Sequence, residues 1–267
     1  MKGIYKYMAL ALTLVMGACS QDDAPNLSAQ ELSIAARSTG GDADNNAFTH
    51  NFTLELWNTT DETLHEKHEM IYSDGWNKVM TEILPARAIA YKGTGVTVTS
   101  PTEYTLQLKA DQSSDAKLDD ADVMLATGEA TQGNPLNLYF EHCFAKVSFN
   151  CTIAPEFADV NSLIFESCQV HTNPQVKAYI NGTEISAILV PDTYVAGENL
   201  LTINLRYNST IKESLPVVAP ANGLTFEAGK HYKFSLKIGK DKVTIEKAVV
   251  DGGNPFDGGW DEESKLE

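Results

Sequence analysis

The stretch Val176-Lys177-Ala178-Tyr179-Ile180-Asn181-Gly182-Thr183-Glu184-Ile185-Ser186 decides the reading of the fold. Two runs with β-branched and aromatic residues flank Asn181-Gly182, a pair that adopts positive φ readily and so predicts a hairpin with a type I′ turn. The segments that follow repeat the theme. Residues 188–190 stop at Pro191, which lacks the N–H a ladder needs. Residues 200–206, 215–218, 230–238 and 242–249 are further strand-like runs, separated by Gly or Asn turns roughly every ten residues. Short strands at that spacing predict an all-β chain of antiparallel sandwiches and not βαβ units.

Working outward, residues 136–153 read as one long strand, with Phe140, His142 and Phe144 on one side and Cys143, Ala145, Val147, Phe149 and Cys151 on the other. Being apolar on both faces, it is expected at the centre of a sandwich. Phe52, Leu54 and Leu56 alternate with Thr53 and Glu55, and residues 104–108 alternate again. Residues 61–70 are polar and read as a loop or a single helical turn, and residues 110–122 as a charged linker. One sandwich is placed at residues 48–133 and a second at 134–267.

The first residues bear on the compartment. Lys2 and Lys6 precede about ten apolar residues and then Gly17-Ala18. This is shorter than the about 20 residues that span a bilayer, so residues 1–18 read as a signal peptide. Val15-Met16-Gly17-Ala18-Cys19 resembles a lipobox, with Met16 where Leu is usual, and the resemblance makes Cys19 the lipid acceptor. Ser20-Gln21-Asp22-Asp23 resembles the acidic tag of lipoproteins displayed on the outer membrane. Residues 19–47 then form a tether, except that Leu32, Ile34 and Ala36 alternate as a short strand before Arg37 and a Ser38-Thr39-Gly40-Gly41 break.

Acidic residues outnumber basic ones by 36 to 20, a net charge of −16 that repels phosphate backbones and excludes nucleic acid as a partner. Cys143 and Cys151 would lie about 26 Å apart on a straight strand, beyond disulfide reach. With Cys168 they are read as buried thiols. His65-Glu66-Lys67-His68 lacks the H-E-x-x-H spacing of a zinc helix, and no G-x-S-x-G elbow holds a serine. Asp119, Asp120 and Asp122 cluster without the glycine and glutamate of a calcium loop. Trp57, Trp76 and Trp260 are read as core or edge aromatics before sugar-stacking ones. The expectation is a non-enzyme with no catalytic residue, no metal and no cofactor.

Three blocks carry a family resemblance: residues 137–147 (NLYFEHCFAKV), 187–193 (AILVPDT) and 226–234 (FEAGKHYKF). Together with residues 122–126 (DVMLA) upstream and Trp260 near the end, they stand in the order seen in the fimbrillin family of type V pili, which this sequence resembles. The resemblance covers mainly residues 120–260. It implies two transthyretin-like β-sandwiches in tandem. It further implies an exported lipoprotein that is cut after an arginine by a trypsin-like protease, loses the strand before the cut, and accepts a strand of another subunit in its place. In this sequence the cut falls between Arg37 and Ser38, and the removable strand carries Leu32, Ile34 and Ala36. The expected donor is a C-terminal strand with Val243, Ile245 and Val249 on one face, interrupted by Lys247. The implied partners are other pilus subunits, a surface receptor, and the outer membrane through the lipid. The alternative is a monomeric surface lipoprotein that binds a glycan or a host protein.

Overall fold

The structure is a computed structural model and describes residues 28–38, 47–75, 77–158, 162–208, 211–251 and 263–265. Strands β1 (Gln30–Ser38), β2 (Phe52–Asn58), β3 (His65–Met70), β4 (Lys78–Thr81), β5 (Ala86–Lys92), β6 (Val96–Ser100) and β7 (Glu103–Leu106) precede helix α1 (Asp115–Ala121). Next come β8 (Met124–Ala130), β9 (Leu136–His142), β10 (Ala145–Ile153), β11 (Leu163–Val170), β12 (Val176–Lys177), β13 (Tyr179–Asn181) and β14 (Glu184–Leu189). The remainder is β15 (Asp192–Tyr194), β16 (Asn199–Tyr207), β17 (Ile211–Val218), β18 (Leu224–Phe226), β19 (His231–Ile238), β20 (Val243–Asp251) and β21 (Glu263–Lys265). The chain is all-β, and α1 is the one α-helix among the described residues.

Two hydrophobic cores organise these strands. The first sheet runs β3-β2-β5-β8-β9-β1-β4. Only Met124↔His142 and Leu125↔Glu141 join β8 to β9, and the strands on both sides of that join contribute to one core. The sheet therefore folds back on itself. Gly128 permits the close approach at the fold: a Cβ there would come 2.8 Å from Leu136 Cδ1 and 3.2 Å from the Asn137 carbonyl. The second core is enclosed by the sheet β13-β14-β10-β19-β20-β21, the sheet β12-β11-β16-β17 and the short pair β15-β18.

Several expectations change. Residues 136–153 are two strands that part at Cys143-Phe144, so Leu136, Leu138 and Phe140 belong to the first core while Val147 and Phe149 belong to the second. The chain passes finally from the first core to the second at residues 143–144, after an earlier stretch in which Leu108, Ala121 and Val123 join the second core. Two strand pairs, β1 with β9 and β10 with β19, are parallel. The hairpin at residues 179–189 pairs Asn181 with Glu184, so its turn is centred on Gly182 and Thr183. Positive φ falls at Gly182 (61°) and not at Thr183, the second central residue, which rules out type I′.

The expected loop at residues 61–70 contains β3, whose sequence HEKHEM has no apolar row before Met70 because β3 is an edge strand with its charges in water. The expected linker contains α1, capped by Ser114, whose hydroxyl accepts from Lys117 N–H. Around it Leu108, Ala121 and Val123 are buried in the second core. Gln112, also in that segment, is fully buried: its amide donates to the Lys109 and Ile188 carbonyls, both at 2.9 Å, and accepts from Ile188 N–H at 2.7 Å.

Candidate assembly site

The strand β1 lies in a slot between two neighbours. Its first half runs antiparallel to β4, from Gln30↔Thr81 to Ser33↔Lys78, and Ile34 N–H continues the ladder to the Asn77 carbonyl at 2.7 Å. Its second half runs parallel to β9, from Ile34↔Leu136 to Ser38↔Phe140. The chain then returns along its outer edge, where Phe48 N–H donates to the Ala36 carbonyl and Ala47 pairs with Arg37.

Alternation sets which side chains enter the slot. Leu32, Ile34, Ala36 and Ser38 point inward and are buried, while Glu31, Ser33 and Arg37 are exposed. The inner wall is made by Leu136, Leu138 and Phe140 with Phe48 and Phe52. Phe48 stacks on Phe140 at 3.9 Å between centroids, and Phe52 meets Phe140 edge-on at 5.2 Å. At about 1.5–3 kcal/mol for each large aliphatic side chain, burial of Leu32 and Ile34 stabilises the docked strand by roughly 5 kcal/mol. The exposed Lys78–Glu31 ion pair at 3.0 Å adds little by comparison.

Arg37 and Ser38 sit inside the last turn of this ladder and not in a loop beyond it. The Arg37 side chain is exposed while its main chain pairs with Tyr139 on one edge and Ala47 on the other. The Arg37–Ser38 peptide bond is therefore held within paired main chain while the Arg37 side chain lies at the surface. Arg87, second in β5, and Arg206, next to last in β16, are each paired with a full strand on both edges, and Arg206 is tied to Glu166. Cys19 lies outside the described residues.

The C-terminal strand β20 is docked on its own sheet, antiparallel to β19. Val243 and Ile245 are half-buried against the second core. A bulge opposite Ser235 and Leu236 then shifts the phase, so that Lys247 is exposed and Ala248 packs inward. The lysine that broke the expected row is thus outside it. Val249 pairs with Lys233 and with Lys265 of β21, and its side chain is outside the described residues.

Elsewhere the polar side chains serve packing. His142 Nδ1 donates to Asp122 at 2.6 Å, His171 lies 2.7 Å from the Thr202 hydroxyl, and His65 lies 2.9 Å from Glu55 with its ring stacked on Trp57. His231 lies 2.8 Å from the Ser148 hydroxyl, and burial, with Lys146 and Lys233 nearby, lowers its pKa to about 3. Asp119 and Asp120 are engaged by protein: the buried Lys92 ammonium reaches the Asp119 carboxylate and carbonyl, both at 2.9 Å, and Asp120 accepts from Thr94. That lysine sits at the acidic C-terminal end of α1 and ties it to β5, a link the sequence marked only as a cluster of aspartates. Among the described residues no group of three or more His, Cys, Asp or Glu is placed to hold a metal ion. Cys143, Cys151 and Cys168 are free, and burial pushes each thiol up to about 12. Trp76 and Trp260 lie outside the described residues.

No curated protein matches the sequence. Among solved structures, the chain is similar to a candidate cell adhesion protein of Bacteroides uniformis at 14% identity, covering 83% of this chain and 98% of that one, with a TM-score of 0.50. A candidate cell adhesion protein of Bacteroides ovatus matches at 12% identity over 84% and 97% of the two chains, with a TM-score of 0.51. The tip fimbrial protein of Porphyromonas gingivalis, truncated at its C-terminus, aligns at 10% identity over 84% and 99%, with a TM-score of 0.42. At such identities the first two show a shared fold. The profile of the fimbrillin-like family matches residues 26–251, which span both cores and the slot, and the chain therefore belongs to the fimbrillin-like family.

Proposed function

We propose that this chain is a fimbrial subunit that assembles by exchanging strands with other subunits. The observation that carries the reading is β1: an N-terminal strand with Leu32, Ile34 and Ala36 buried in an apolar slot and an exposed arginine, Arg37, one residue before its end. Membership of the fimbrillin-like family supports it, as do the similar folds of two proteins described as cell adhesion candidates.

In this reading the precursor is exported, takes its lipid on Cys19 and reaches the outer membrane surface. Cleavage between Arg37 and Ser38 frees β1 to leave. The emptied slot offers main-chain groups of β9 and β4 and the aromatic wall of Phe48, Phe52 and Phe140, and a strand of another subunit enters it by β-augmentation. The C-terminal β20, with Val243 and Ile245, is the donor. The fibre so built serves adhesion, and the chain works as a building block and not as a catalyst.

The test is to incubate the purified precursor with a trypsin-like protease, confirm the cut by mass, and follow oligomers by electrophoresis. A ladder from the wild type, absent in Arg37→Ala, is the expected result. A wild-type product that is cut at Arg37 and stays monomeric refutes the reading and favours a monomeric surface binder.

A further inference from the structure

The slot fits β1 well in the middle and badly at its ends. The inward row begins with Gln30 and ends with Ser38, and only Leu32, Ile34 and Ala36 between them are apolar. Ser38 is 5% exposed and its hydroxyl has no hydrogen-bond partner; the Gln30 side-chain oxygen is buried and unpartnered in the same way. The register sets Ser38 beside Phe140, whose ring lies between Phe48 and Phe52. A buried hydroxyl with no partner costs free energy that an apolar side chain in the same place does not.

We infer that the position of Ser38 is a subsite for an apolar side chain of the incoming strand of a second copy of this chain, and that exchange begins at this end of the slot. The inference rests on the strand-exchange reading above and specifies which residues decide it. Hydrolysis of the Arg37–Ser38 bond consumes one water and turns a neutral amide into a carboxylate on Arg37 and an ammonium on Ser38. The bond is cut with this end lifted from the ladder, and a charged end without a partner is unfavourable against the apolar wall, so both new ends stay in water. The Ser38 position empties first, while Leu32 and Ile34 still hold the other half of the strand.

The occupant follows from β20. Its bulge puts Val243, Ile245 and Ala248 in one apolar row. Residue 250, two further along, is valine. Laid in the slot parallel to the departing strand with its bulge kept, β20 repeats Leu32, Ile34 and Ala36 as Val243, Ile245 and Ala248, and replaces Ser38 by Val250. The substitution falls at the one position of that row where the resident strand carries an orphaned hydroxyl.

Labelled peptides of residues 242–251 test this against the cut chain after the protease is inactivated. The wild-type peptide is expected to be retained. Val250→Ser is expected to shorten its residence more than tenfold, as one lost apolar contact plus one orphaned hydroxyl implies, and Val249→Ser to change it little. Equal effects, or a larger effect of Val249→Ser, overturn the subsite assignment while leaving strand exchange intact. A wild-type peptide that is not retained although an oligomer ladder forms overturns β20 as the occupant. No retention and no ladder refutes strand exchange itself. Independently, Ser38→Val in the uncut precursor is expected to raise the urea midpoint, and a lowered midpoint overturns the claim that this end of the slot favours an apolar side chain.

Discussion

Replacing Leu32 by alanine separates a strand that belongs to the finished protein from one that only accompanies it to the surface. Leu32 is 1% exposed and packs in the first core with Ile34 and Phe48. Buried Leu→Ala changes cost about 2.7–5 kcal/mol, the lower figure applying where the surroundings close over the cavity. One wall of the slot is β4, a four-residue edge strand free to shift inward, so a loss of about 3 kcal/mol is expected. With a slope of about 1–3 kcal/mol per molar urea, the midpoint of the uncut precursor falls by roughly 1–3 M. The two cores need not unfold together, so the shift is read on the transition that moves. After cleavage and assembly Leu32 is gone from the slot, and oligomers of wild type and variant are expected to dissociate at the same denaturant concentration. A loss below about 1 kcal/mol in the precursor refutes the packing argument. An equal loss in the assembled oligomer refutes removal of the strand.

Gln112→Ala strips partners from the Ile188 N–H and carbonyl inside the protein and is expected to cost roughly 3 kcal/mol, measured by urea unfolding. The depressed pKa of His231 fixes a pH dependence. The unfolded chain, with an ordinary histidine value near 6.5, binds a proton that the folded chain refuses down to about 3. Stability is therefore full above 6.5 and falls by about 1.4 kcal/mol per unit as pH drops through that window. His231→Gln is expected to flatten this slope, seen in midpoints collected from pH 7 to 4. The thiols of Cys151 and Cys168, buried and pushed up to about 12, are expected to resist iodoacetamide at pH 8 until the protein is unfolded, as followed by mass.

Much of this was legible along the chain because it depends on local pattern. Leu32, Ile34 and Ala36 alternate, and alternation alone places them on one face of a strand. The hairpin around Gly182 announced itself by a residue tolerant of positive φ between two strand-like runs, although its register differs by one residue because pairing with Glu184 and not the dipeptide alone sets the turn. What failed locally failed for a reason. β3 is an edge strand and needs no apolar row, so His65-Glu66-Lys67-His68 reads like a loop. Helix α1 is only seven residues long, too short for periodicity to show, and the signals at hand were Ser114 as a cap and the apolar Leu118 and Ala121.

By itself the sequence determined the all-β class, the apolar strand ahead of Arg37, and the absence of any spaced catalytic or metal motif, since each depends on neighbours within a few residues. Only the tertiary structure decided that β1 lies between β4 and β9, that residues 136–153 divide between two cores, and that a bulge turns Lys247 out and Ala248 in. Those depend on pairings between segments from about ten to about a hundred residues apart, fixed by how whole faces pack. No local rule carries that information.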